Sequence, residues 1–93
     1  MTKQHNEEND KELRRRAAQR TWEALHAEQG VSLRDVKVYL QCMRGKPTKD
    51  VARAHGITMR DAILTVLRVD RIFREHGYRH YQAALRIESG RAS

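Results

Sequence analysis

The sequence predicts an all-α fold of four to five helices around a helix-turn-helix unit, and three observations carry that expectation. Five glycines, at 30, 45, 56, 77 and 90, fall where helices would stop, and the single proline, Pro47, falls just before one would start. Between these marks apolar residues recur at helical spacing, and no segment alternates with period two for long enough to make a strand. Finally, the stretch TKDVARAHGITMRDAILTVL, Thr48 to Leu67, reads as a helix, a tight turn and a second helix.

The elements follow in order. Residues 1–9 are polar and acidic and are expected to be disordered. A first helix is expected from about Asp10 to Gln29, with Leu13, Ala17, Trp22 and Leu25 along one side and Arg14, Arg15, Arg16 and Arg20 on the rest. Ser32 caps a second helix, Asp35 takes its third position, and Val36, Tyr39, Leu40 and Met43 recur at helical spacing as far as Gly45.

Thr48 is expected to cap a short third helix that ends at Gly56. Ala52 is small enough for two helices to cross closely, and Gly56 accepts a left-handed backbone at little cost. Ile57 then enters the core, and Thr58 caps the fourth helix with Asp61 three residues on, a capping-box variant. That helix is expected from Met59 to about His76, with Met59, Ala62, Val66, Val69 and Phe73 on its core face. A fifth, from about Tyr78 to Glu88, carries Tyr81, Ala84, Leu85 and Ile87, and residues 89–93 form a flexible tail. Residues 10–88 thus make one domain.

Bulk composition narrows the function. A chain of 93 residues has a modest core and little room for an active-site cleft. It holds no apolar run near the roughly 20 residues that span a bilayer, and no apolar signal segment. The single cysteine, Cys42, excludes an internal disulfide and is expected to be a buried, inert thiol. A soluble cytoplasmic protein is the expectation. The net charge of +7 is uneven: residues 1–12 sum to −2, so the other 81 carry +9. That balance favours a polyanionic partner.

The exposed face of the fourth helix then becomes the candidate reading surface. It displays Arg60, Asp61, Leu64, Arg68, Arg71 and Glu75, with Thr65 at its margin. In a helix-turn-helix the second helix enters the major groove of DNA. Arg60 and Arg68 suit bidentate contact with guanine, while Leu64 or the Thr65 methyl suits a thymine methyl. Arg44, Lys46, Thr48 and Lys49 are placed to meet phosphates, helped by the backbone amides of Thr48 and Lys49, and Arg71 is a further phosphate contact. Arg53 is a weaker candidate. Asp61 reads first as a capping residue, and Ile63 and Leu67 either pack beneath a neighbouring helix or meet a second subunit. The run Arg14 to Arg16 reads as a solvated face, with a phosphate clamp as the alternative.

The stretch Ser32 to Phe73 resembles two related helix-turn-helix groups. One is the four-helix DNA-binding region of sigma factor region 4 and response-regulator output domains, where a helix ending in an RGK turn precedes the reader, as Arg44-Gly45-Lys46 does here. The other is the small plasmid repressors of the TrfB/KorA type. Their pattern is similar to Gly45-Lys46-Pro47, Val51-Ala52, Gly56-Ile57-Thr58, Ala62-Ile63 and Val66 through Val69. Such readers often place a β-branched residue six positions after the turn glycine, where this chain has Ala62, with Ile63 next. The resemblance implies a sequence-specific double-stranded DNA-binding regulator, a repressor by the plasmid analogy.

No enzyme chemistry is expected. The histidines at 5, 26, 55, 76 and 80 form no convincing site, and His76 and His80, four apart, are separated by Gly77. No cofactor or metal is implied. A unit this small would bind DNA as a homodimer, with Trp22 and Leu25, or Tyr81, Leu85 and Ile87, either at the interface or in the core. The alternative is an adaptor that uses the same scaffold to grip RNA polymerase, a sigma factor or another regulator, which the acidic N-terminus and Leu64 would suit. RNA binding is disfavoured by an aromatic content of only 5%.

Overall fold

The computed structural model describes the backbone of residues 2–92 and the side chains of residues 9–90, and it is all-α. The elements are α1 (Thr2–Gln29), α2 (Leu33–Met43), α3 (Thr48–Ala54), α4 (Met59–Ile72), a π-helical turn (Phe73–Gly77) and α5 (Tyr78–Ala92). α2, α3 and α4 start where the caps and Pro47 direct. Ser32 Oγ accepts the Asp35 amide at 3.1 Å, and Thr58 Oγ1 accepts the Asp61 amide at 3.0 Å.

The short third helix is capped differently from the expectation. Pro47 holds the cap position, its carbonyl accepts the amides of Asp50 and Val51, and Thr48 is already the first helical residue. The fixed proline φ, here −59°, is suited to a helix entry, so no hydroxyl is needed. Gly56 does take the left-handed backbone, at φ +67°.

The ends of the chain differ more. α1 begins at Thr2, not near Asp10, because no glycine or proline interrupts residues 2–29; most of the segment expected to be disordered is drawn into the helix. α5 likewise runs on to Ala92, through Gly90 and into the expected tail. Gly77 does not stop a helix either. Ile72, Phe73 and Tyr78 are all right-handed helical, so α4, the π turn and α5 form one continuous helical path. One extra residue per turn over Phe73–Gly77 is the signature of a π-bulge, which absorbs a packing mismatch without breaking the rod.

Two clusters make the core. In the first, Leu25, Val31, Val36, Tyr39 and Val69 are buried, with Trp22, Leu40, Val66, Ile72 and Phe73 packed against them. Trp22 meets the Tyr39 ring edge-on at 5.9 Å and the Phe73 ring at 5.2 Å. The second joins Val38, Val51, Ala52 and Ala62, with Cys42, Ile57 and Val66 at its margin. Ala52 of α3 and Ala62 of α4 are both buried in this cluster, so small side chains sit where the two helices pack. Ala62 belongs inside; a β-branched residue there would crowd the cluster. Cys42 is half-buried, not fully enclosed.

Several residues assigned to the core lie outside it. Met43 and Met59 are exposed, while Val38 is fully buried. α2 is covered by α3 as well as by α4, which widens its buried arc to include Val38. Met59 stands in the first turn of α4, about 60° from the Ala62 direction, and escapes cover.

α1 and α5 run antiparallel. Glu28 lies against His80 at 2.8 Å, and eight residues back along α1, Arg20 pairs with Glu88. Between them, Ala17, Thr21 and Leu25 form the buried stripe of α1, with Leu13 and Trp22 half-buried beside it. Thr21 satisfies its hydroxyl by donating to the Ala17 carbonyl at 2.8 Å. On α5, Ala84 and Glu88 are buried and Ile87 is exposed.

Candidate nucleic-acid interface

Charges sort into two kinds along the chain. Among the described residues, Arg44, Lys46, Lys49, Arg53 and Arg60 are exposed and have no carboxylate within ion-pair distance. All five lie on the α2–α3 turn, on α3 or in the first turn of α4. Further along the long helix, Arg68 pairs with Asp35, Arg71 with Glu75 at 3.1 Å, and Arg74 with Asp70 at 2.9 Å. Five unpaired cations thus surround the bihelical turn; Lys11, Arg14, Lys37, Arg79 and Arg86, elsewhere on the described surface, are exposed and unpaired as well.

Each expected site residue can now be placed. Arg60 is exposed on the outer face of α4, and Leu64 follows it one turn later. Thr65 is half-buried at the edge of that face. Arg68 is half-exposed, with one guanidinium nitrogen donating to the buried Asp35 carboxylate. Arg44 and Lys46 flank Gly45 in the loop before α3, while Thr48, half-buried, and Lys49, exposed, open that helix. Arg71 is separated from them along the rod, and its link to Glu75 is a solvent-exposed i,i+4 pair that contributes little. Arg60, Leu64, Thr65 and Arg68 thus share one stretch of helix about 12 Å long, and Arg44, Lys46, Thr48 and Lys49 share one edge. Arg71 belongs to neither group.

The same face carries more apolar surface than the charge pattern suggested. Met59, Ile63, Leu64 and Leu67 are 52%, 44%, 51% and 61% exposed. At 100° per residue Ile63, Leu64 and Leu67 lie around the outward direction of α4, between Arg60 and Arg71. Ile63 and Leu67 do not pack beneath a neighbouring helix. Of the residues offered for a dimer surface, Leu25 is buried, and Trp22, Tyr81 and Leu85 are half-buried in the core or the α1–α5 seam; Ile87 alone is exposed.

An open notch of about 510 Å³ lies beside this face, lined by Arg34, Ile57, Asp61, Leu64, Thr65 and Arg68. Behind it, Tyr39 ties α2 to α4 by donating its hydroxyl to Asp70 Oδ1 at 2.9 Å. Burial, and then that hydrogen bond, push the phenol up to about 12, so the Tyr39–Asp70 bond is intact throughout the neutral range. Neither this bond nor the Arg68–Asp35 pair is legible from residue patterns, since their partners are 31 and 33 residues apart.

Among the described residues no three His, Cys, Asp or Glu side chains converge to hold a metal ion, and no helix is long and apolar enough to cross a membrane. His76 and His80 sit on an unbroken helical path, where His80 Nε2 meets Glu28 and His76 Nε2 lies 3.8 Å from Glu75. What the fold and this surface define is a small all-α protein with a basic, partly apolar bihelical face. No protein-family model, curated protein or solved structure matches the chain.

Proposed function

We propose that this protein is a sequence-specific double-stranded DNA-binding regulator of transcription, a repressor acting as a homodimer in the cytoplasm. The observation that carries the reading is the placement of five unpaired cations, Arg44, Lys46, Lys49, Arg53 and Arg60, around a helix-turn-helix. Charges left without a carboxylate are available to phosphates, and their release of counterions would drive binding. α4 enters the major groove, with Arg60 on a guanine edge and Leu64 and the Thr65 methyl against thymine methyls. Arg44, Lys46, Thr48 and Lys49 hold the flanking phosphates.

A second reading draws on a specific observation, the exposed apolar stripe of Ile63, Leu64 and Leu67. A protein partner such as RNA polymerase or a sigma factor would bury that stripe more fully than a DNA groove does. The two readings part on substitution. In selection and sequencing of bound DNA, Arg60→Ala is expected to relax preference at one base pair, by about 1–3 kcal/mol, and Lys49→Ala to weaken all sequences alike. If both variants select DNA as the native chain does, while Leu67→Ser removes a captured polymerase subunit, the adaptor reading replaces the regulator.

A further inference from the structure

Asp35 is a carboxylate with only 7% of its side chain exposed, at the third position of α2. A buried carboxylate destabilises the fold unless it is paired, so its partner matters. That partner is Arg68, which comes from the surface of α4 and keeps about half of its own side chain in solvent. Arg34 NH2 stands 3.7 Å from the other carboxylate oxygen. Two guanidinium groups therefore share one buried anion at the rim of the notch, beside Leu64 and Thr65.

We propose, building on the DNA-binding reading above, that Asp35 is a positioning residue that presents Arg68 to a guanine. The guanidinium is planar and carries five donors in a fixed fork. Asp35 engages one nitrogen, which restrains the group beside the notch that Arg68 helps to line. Free arginine loses much rotamer freedom when it binds a base edge; an arginine already held by a carboxylate loses less. Arg68 lies about 80° around α4 from Arg60, on the side turned toward α2, so without Asp35 its side chain has no reason to point along the groove-facing surface. Arg34 completes the arrangement by leaving the cluster with a net positive charge.

The same ion pair also joins α2 to α4, so the test must separate presentation from stability. Selection and sequencing of bound DNA would be run on the native chain, Asp35→Asn, Arg68→Ala and Arg68→Lys, each with a thermal melt. The expected result is loss of a G·C preference at one and the same position in Arg68→Ala and Asp35→Asn, about tenfold, with preferences elsewhere kept. Arg68→Lys keeps the charge and loses the fork, and is expected to lose that preference while melting close to the native chain. If Asp35→Asn fails to fold, Arg68→Lys decides alone: an unchanged preference overturns the proposal. Asp35→Asn with a lowered melting temperature and an unchanged base profile reduces Asp35 to a structural pair and likewise overturns it. A native chain that selects no site removes the DNA-binding reading itself, and this role with it.

Discussion

Gly77 is buried against the ring of Phe73: a Cβ placed on Gly77 would stand 2.6 Å from Phe73 Cδ2 and 2.9 Å from Cγ. The Phe73 ring also packs on Trp22, with ring centroids 5.2 Å apart, so displacing it disturbs the core. The π turn and the absent side chain are thus two halves of one solution, letting the long helix pass α1 with an aromatic wedged between them.

Gly77→Ala is expected to destabilise the protein. Alanine gains about 1 kcal/mol of helix propensity, but displacing the packed ring costs about 1–3 kcal/mol, so the net should be a loss. Gly90→Ala, in the same helix with nothing within 4 Å of the added Cβ, should leave stability unchanged or raise it slightly. Paired thermal melts of the two variants check the sign of each.

Arg20 and Glu88 hold the α1–α5 seam. Glu88 is nearly enclosed and, among the described residues, pairs with Arg20, with Arg16 NH1 at 4.0 Å. Arg20→Ala should cost about 1–3 kcal/mol, the range for a charged hydrogen bond with one partner buried, and Glu88→Gln less. Urea denaturation of the single variants and the double variant gives the coupling between them, which should be favourable.

Tyr39 makes stability depend on pH at the alkaline end. Its phenol is raised from 10.0 to about 12 in the folded chain, by burial first and by the bond to Asp70 second. The folded state therefore holds its proton more tightly than the unfolded state. The stabilisation is complete below pH 10 and is lost between pH 10 and about pH 12, as the unfolded chain releases the proton first. In melts across that window, Tyr39→Phe should lose less stability than the native chain; an identical decline would mean the shift is absent.

The bihelical unit was legible because its signals are local. Pro47, the left-handed Gly56, the Thr58 cap and the small Ala52 and Ala62 each act within a few residues, and they set the boundaries of α3 and α4. The cations around that unit could also be read, since a run of exposed lysines and arginines needs no fold to be recognised. What stayed hidden was set at long range. Gly77 looks like a stop until Phe73 and Trp22 are seen to require it. Glu88 looks solvated until Arg20 arrives from 68 residues away. Arg68 looks unrestrained until Asp35 takes one of its nitrogens. The helical wheel identified an exposed face of α4 with Leu64 on it but left Ile63 and Leu67 undecided, because a wheel cannot say which neighbours stop short.

The central claim is that the unpaired cations around the turn meet DNA phosphates, and an anisotropy titration against duplex DNA over a series of salt concentrations tests it most directly. Three to four phosphate contacts per protomer should make log K fall with log salt at a slope of about −3 to −4 for each protomer bound. Lys49→Ala should flatten that slope by about one. A weak, salt-independent signal, or a slope that Lys49→Ala leaves untouched, would contradict a DNA-binding role for this face.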